Sequence, residues 1–200
     1  VGVSRPVGQA IVTRLIAPFG EAAVAGLAIT GRLTPVALGI IFALSGAVGP
    51  IIGQNLGAGR MDRVRRAFWD SILFAGLVIV AMSALLFIGR GWIADIFHAE
   101  GLTRELVYLF CGPLSLLFFF NAMIFVANAA CNNLGAAMQS TMVNWGRHTL
   151  GTVPFALWLA AGWGAAGVLI GQAVGGILFG LLAVWLALRV LDRVAARKAA

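Results

Sequence analysis

Six apolar runs divide the chain, at roughly residues 6–19, 24–52, 67–88, 107–130, 138–161 and 166–188, and a helix needs about 20 apolar residues to cross a bilayer. The pattern predicts an all-α membrane protein of about six spans, with the first too short for a full crossing and read as a truncated helix. Turn signals separate the runs. Pro18, Gly20 and Glu21 follow the first, Gly57 and Gly59 the second, Asn132 to Gly135 the fourth, and Ala161 to Gly164 the fifth. Pro35 and Pro50 predict kinks in span two, where Gly39, Gly46, Gly49, Gly53 and Gly57 form a stripe suited to a close neighbouring backbone. Asp62 stands where it would cap span three. Residues 90–105 read as a mixed loop in which Trp92, Ile93, Ile96 and Phe97 would form a short interfacial helix. Pro113 sits near the start of span four, and Gly167, Gly171, Gly175, Gly176 and Gly180 punctuate span six.

Composition narrows the class. Of the 200 residues, 61% are hydrophobic and only 10% charged, against roughly 25% charged in soluble domains. One set of packed spans in lipid, a single domain, is the expected core. The net charge of +7 does not indicate nucleic acid, because the basic residues sit at the ends of apolar runs. Arg60, Arg63, Arg65 and Arg66 follow span two, and Arg189, Arg193, Arg197 and Lys198 follow span six. With alternating sides, the positive-inside rule places the loop after span two, the loop after span four and the C-terminus in the cytoplasm, and Arg5 agrees. Cys111 and Cys131 are too far apart along one helix to bond and read as packing residues. No metal-ligand spacing, paired catalytic carboxylates or cofactor motif is present, so no catalytic residue and no metal is expected. The chain opens at Val1 inside membrane-like sequence with no initiator Met, and is expected to be part of something longer.

Ile52-Gly53-Gln54-Asn55-Leu56-Gly57-Ala58-Gly59-Arg60, followed by Asp62-Arg63-Val64, resembles the cytoplasmic turn after the eighth helix of multidrug and toxin extrusion (MATE) transporters. Further similarities follow in order. Arg32 resembles a basic residue of that eighth helix, Pro113 one in the tenth, and Gly135 the turn before the eleventh. Asn144 to Arg147 with Pro154, and Gly162 with Gly164 and Gly167, resemble the eleventh helix and the start of the twelfth. The resemblance implies a twelve-helix transporter of two lobes rocking around a central cavity, with this chain most of the second lobe and the N-terminal lobe absent. The two lobes would be related by an axis along the membrane normal. It also implies an acid in the seventh or tenth helix of some members. Here span four offers only Asn121 and Asn128, so the coupling site for H+ or Na+ is expected in the absent lobe.

The fifth span carries the candidate chemistry. Ser140, Asn144, Arg147, His148, Gly151 and Thr152 recur at three- and four-residue spacing, which makes one helical face polar. An arginine at mid-membrane costs a few kcal/mol, so Arg147 either lines a water-filled cavity or snorkels to the interface. His148 either relays protons or bonds a neighbouring helix. Arg14 and Arg32 fit a pathway or snorkelling equally, and Asn121 and Asn128 fit a pathway or interhelical hydrogen bonds. Asp70, four residues after Arg66, reads as an ion-pair partner. The glycines around Gly53 lack the Lys-Ser/Thr ending of a phosphate loop and read as packing and turn residues.

These readings lead to an antiporter of the inner membrane that exports amphipathic organic compounds against H+ or Na+ influx. Its expected partners are the small-molecule substrate, the lipid bilayer and the N-terminal lobe. Two alternatives stay open: a lipid-linked oligosaccharide flippase of related architecture, and a membrane-embedded scaffold or binding subunit. The genomic sequence upstream of Val1 separates the transporter from the scaffold, since six further apolar spans with a second glycine-glutamine turn support the transporter and a start codon just before Val1 supports a half-size protein or scaffold; dye efflux separates exporter from flippase.

Overall fold

The apolar runs fold as helices that extend beyond the predicted spans into the flanking polar residues. The computed structural model describes residues 4–199, with side chains for residues 6–197. Val1 and the side chains of Arg5 and Lys198, used in the sequence reading, lie outside that set. In chain order the elements are α1 (Ser4–Ile16), a 3-10 turn (Ala17–Phe19), α2 (Glu21–Gly57), α3 (Met61–Ile96), α4 (Gly101–Leu109), a π-type turn (Phe110–Leu114), α5 (Ser115–Asn133), α6 (Ala137–His148) and α7 (Val153–Ala199). The described elements are all helical. Four helical runs, Glu21–Gly57, Met61–Ile96, Gly101–Asn133 and Ala137–Arg197, are long and apolar enough to cross a membrane.

Several local expectations are corrected by the backbone. No loop interrupts residues 90–96, because α3 continues through Ile96 and the turn is confined to residues 97–100. Asp62 does not cap α3: Arg60 holds that position, and the Asp62 carboxylate lies in the first turn, where it complements the helix dipole. Gly59, at φ 73°, takes the left-handed conformation, while Gly57 is the last residue of α2. The fourth run begins at Gly101. Pro113 lacks the amide a regular helix needs, so the chain widens into the π-type turn with Gly112 at φ −93°, ψ −115°.

The fifth run is not one helix. α6 ends at His148 and α7 starts at Val153, because Pro154 cannot donate to Leu150 and clashes with its carbonyl. Pro154 then occupies the first turn of α7, where a missing amide is harmless. The Thr152 hydroxyl donates to the Arg147 carbonyl at 2.9 Å, and the Gly151 amide donates to the Gly146 carbonyl at 2.8 Å, so the break keeps its backbone groups partnered.

α7 folds back on itself at Trp163 and Gly164. Gly164 has φ 56°, ψ −136°, a conformation open to glycine alone. The returning limb then lies against the first with almost no gap. A Cβ on Gly171 would fall 2.5 Å from the Ala156 Cα, and Cβ atoms on Gly167 and Gly175 would overlap the Leu159 and Gly151 carbonyls. Gly180 gives the same closeness to α5, where a Cβ would stand 2.7 Å from the Phe120 carbonyl oxygen. The stripe in α2 behaves differently from its expectation. Gly39, Gly46 and Gly57 face open space, and only Gly49 and Gly53 meet a neighbour, the Asn133 side chain.

Apolar packing joins the helices in several clusters. The largest binds the α2–α3 end through Val48, Ile52, Val64, Phe68, Ile124, Ala130 and Leu191. Another binds the opposite end through Val12, Ile16, Ala23, Leu106, Ala156 and Val168. Two hydroxyls tie helices across the bundle: Thr103 donates to the Ala22 carbonyl at 2.8 Å and Ser45 to the Phe125 carbonyl at 3.2 Å. The ion pairs sit at the ends. Arg65 pairs with Asp192, which puts the α2–α3 turn and the C-terminal tail at one end, while Asp95 and Arg104 pair at 3.3 Å at the other. Asp70 meets Arg66 at 3.6 Å, as their spacing predicts.

The seam gives a direct test. Gly171→Val and Gly175→Val should each cost at least about 1–3 kcal/mol through backbone overlap, whereas Gly39→Ala should stabilise by about 0.5–1 kcal/mol through helix propensity. Thermal melting of the purified variants in detergent checks the order.

Candidate functional site

The C-terminal end of α6 and the turn before α5 line the same space. A cavity of about 160 Å³ lies among α1, α2, the π-type turn, α5, α6 and α7. Its polar lining is Gln9, Thr30, Thr34, Asn121, Arg147, His148 and Gln172; Leu27, Phe110, Leu114, Phe118 and Leu169 supply apolar walls. Gln9, Gly31 and Pro35 are exposed, whereas Thr30, Phe110, Leu114 and Leu169 are buried. The cavity therefore opens between α1 and α2 and closes on the interior helices.

Arg147 and His148 are the last residues of α6, where the Arg147 charge complements the helix dipole. Both are half-buried and both also interact with other groups in the bundle. His148 packs onto Gly8 of α1, whose missing side chain makes room for the ring. Thr34 donates to the Thr30 carbonyl at 2.8 Å and Thr30 to the Leu27 carbonyl at 2.9 Å, so both hydroxyls face the cavity as acceptors. Pro35 withdraws the amide that would otherwise bond the Gly31 carbonyl, and both residues line the cavity. Asn121 holds its Oδ1 buried without a hydrogen-bond partner, beside Gly176 of α7.

The candidates from the sequence separate here. Asn121, Arg147 and His148 meet at the cavity. Asn144, on the same face of α6, is buried in the bundle and donates from Nδ2 to the Ser140 carbonyl at 2.7 Å. Asn128 lies two turns from Asn121, in a contact with Ser140, Gln139 and Ala183 that has no room for water. Arg14 and Arg32 are exposed outside the cavity lining. Gly53, Gln54, Gly57 and Gly59 belong to the distant α2–α3 end and serve its turn and packing. Gln9, Gln172, Thr30 and Thr34 were missed. The two glutamines carried a signal, since each is an isolated amide in an apolar run.

All seven carboxylates in the chain, Glu21, Asp62, Asp70, Asp95, Glu100, Glu105 and Asp192, are exposed and none lines the cavity. Among the described residues no group of His, Cys, Asp and Glu could hold a metal. Cys111 and Cys131 are buried and unbridged.

A helical bundle of membrane-length elements with a polar cavity at a broken helix defines one half of a helical membrane transport fold. The MatE family model matches residues 3–158, and the chain belongs to that family. It is 34% identical over 176 residues to an uncharacterized 21 kDa protein of Pseudomonas savastanoi, covering 86% of this chain and 57% of that one. It is 29% identical over 205 residues to a FAD transporter of Shewanella oneidensis, covering 97% of this chain and 43% of that one. The chain thus spans about half the length of these relatives. In fold it matches the Vibrio cholerae MATE transporter VcmN in its bent form, with TM-score 0.85 and 22% identity over 97% of this chain and 43% of that one. A MATE transporter in the bent conformation matches with TM-score 0.90 and 17% identity, over all of this chain and 44% of that one.

The orphaned Asn121 Oδ1 predicts a trade-off. Asn121→Leu removes a buried unpartnered acceptor and should stabilise by about 1 kcal/mol. A higher melting temperature in detergent, with the cavity's polarity lost, is the expected result.

Proposed function

We propose that this chain forms one lobe of a secondary antiporter that exports amphipathic organic compounds by alternating access, driven by H+ or Na+ influx. The observation that carries the reading is the cavity. An apolar lobe places Arg147, His148, Asn121, Gln9 and Gln172 around one open space, and helix α6 is broken beside it. Irregular backbone at membrane depth is tolerated where it is buried in protein or lines a cavity, the arrangement of discontinuous helices at transport sites. Membership of the MatE family and the relative named as a FAD transporter support movement of an organic compound.

The remaining parts follow from charge. The Arg65–Asp192 pair joins the two arginine-rich segments at one end, which on the positive-inside rule faces the cytoplasm of an inner-membrane protein. With every carboxylate exposed, the coupling acid belongs to a partner lobe that packs against the open α1–α2 side. No cofactor takes part. A flippase for lipid-linked oligosaccharides is the second reading, favoured by the positive charge at the cavity.

The test is efflux of a fluorescent amphipathic compound from cells expressing the gene. Arg147→Ala and His148→Ala are each expected to lower the rate about tenfold, the equivalent of 1.4 kcal/mol, with unchanged protein in the membrane. No efflux by the wild type, together with a surface-polysaccharide defect on deletion, would assign the flippase instead. Wild-type rates in both variants would return the two residues to structural roles.

A further inference from the structure

We propose that an anionic phospholipid binds on the outside of the bundle, between the start of α3 and the end of α7. Its phosphate rests on the arginines there and an acyl chain follows the two helices into the bilayer. The surface lies away from the cavity, and the proposal holds whatever the chain transports. Arg65 of α3 pairs with Asp192 of α7, so two helix faces meet at that point. From Arg65, steps of four lead along α3 to Trp69, Leu73 and Leu77, all exposed. From Asp192, steps of three and four lead back along α7 to Arg189 and Trp185, which are exposed as well. Beneath them Phe68 and Leu191 are buried in one apolar cluster, and both helices pack on α5. A shallow groove results, with arginines at its end, tryptophans about one to two turns further in, and leucines beyond.

Charge selects the lipid. Arg60, Arg63, Arg65 and Arg66 at the start of α3 and Arg189, Arg193 and Arg197 at the end of α7 stand against Asp62, Asp70 and Asp192 alone on the same segments. The excess survives every pairing. Asp192 matches Arg65, Asp70 lies 3.6 Å from Arg66, and Asp62 is the one carboxylate left for the others. Basic clusters at the membrane surface attract anionic headgroups. The Arg189 guanidinium lies over the Trp185 ring at 4.6 Å, which holds it at the level of an interfacial tryptophan instead of past the helix end. Stacking uses the face of the guanidinium and leaves its in-plane N–H groups for a phosphate, which takes two of them side by side. The other end of the bundle gives the contrast. Trp92 is exposed there too, but Arg90 and Arg104 share the α3–α4 region with Asp95, Glu100 and Glu105, and Arg104 pairs with Asp95 at 3.3 Å. That end has an aromatic rim without excess positive charge, so it takes zwitterionic and anionic lipids alike.

Lipids brominated on the acyl chain quench tryptophan on contact and so test the groove. The probes are brominated phosphatidylglycerol and brominated phosphatidylcholine, each at the same fraction in phosphatidylcholine nanodiscs holding the purified full-length protein. Quenching at the groove is the part lost in Trp69→Phe and Trp185→Phe, and the part lost in Trp92→Phe reports the other end. At the groove, brominated phosphatidylglycerol is expected to quench at about one fifth of the concentration, the effect of a single arginine near the surface. At Trp92 the two lipids should quench equally. Arg189→Gln combined with Arg193→Gln should remove the preference. Asp192→Asn should raise it, although that change breaks the ion pair with Arg65; a purely structural role for these charges would lower it in both. Equal quenching by the two lipids at the groove, a result that needs no arginine variant to fold, would overturn the proposal. The same preference at Trp92 would overturn it too, since the attraction would then belong to the chain as a whole. Loss of the preference on adding millimolar inorganic phosphate would make the arginines a site for free phosphate and overturn the lipid as its occupant.

Discussion

Backbone closeness along the α7 hairpin is the constraint on which the rest of the lobe depends. In lipid each backbone N–H and C=O needs a partner or a protected place, and the break at residues 149–152 interrupts the regular helical ladder that would supply them. The break is tolerated because the returning limb of α7 presses against it, with Gly175 directly under the Gly151 carbonyl. Gly167 and Gly171 hold the limb at the same separation further along, and Gly180 brings α5 equally near. Side chains at these positions would lift the limb away. The broken segment would then lose its cover, and Arg147 and His148 would lose the position that the end of α6 gives them.

Electrostatics orders the remainder. Charges are costly inside the bilayer core, and the ion pairs described, Arg65 with Asp192, Arg66 with Asp70 and Arg104 with Asp95, all lie at helix ends. Being exposed, they contribute little stability, about 0–1 kcal/mol each. They mark the two ends of the bundle. What lines the cavity is polar: the Arg147 guanidinium, the His148 imidazole and the Asn121 amide, whose Oδ1 has no hydrogen-bond partner. Their meeting in one open cavity sets them apart from the apolar clusters that pack the helices.

Much of the architecture was legible in the chain, because the helix is the form that satisfies every backbone group within one segment in lipid and the apolar runs are long enough to show it. The arginine clusters, the turn at Gly59 and the turn at Gly164 were visible for the same reason: charge and glycine have few other uses at those places. The errors came where two rules competed. Residues 90–96 carry polar residues but no strong breaker, so α3 runs on through them. Asp62 has the chemistry of a cap but sits two residues too far along. The span through Pro154 looked continuous because its hydrophobicity is continuous, while the proline ends α6 locally.

The sequence by itself determined an all-α membrane fold, the placement of charge at the ends of the helices and the family to which the chain belongs. It did so because hydrophobic length, charge position and glycine turns act within one segment. Only the tertiary structure decided which polar side chains meet. Asn144 and Arg147 share a face of α6, yet one is buried against its own helix and the other reaches the cavity. Asn121 and Asn128 share a face of α5 and part in the same way. Gln9 and Gln172, far apart in the chain, meet at the cavity. Depth and rotation set these outcomes. Both depend on where a helix breaks and on how closely glycine lets its neighbour approach, and neither is a property of one helix taken alone.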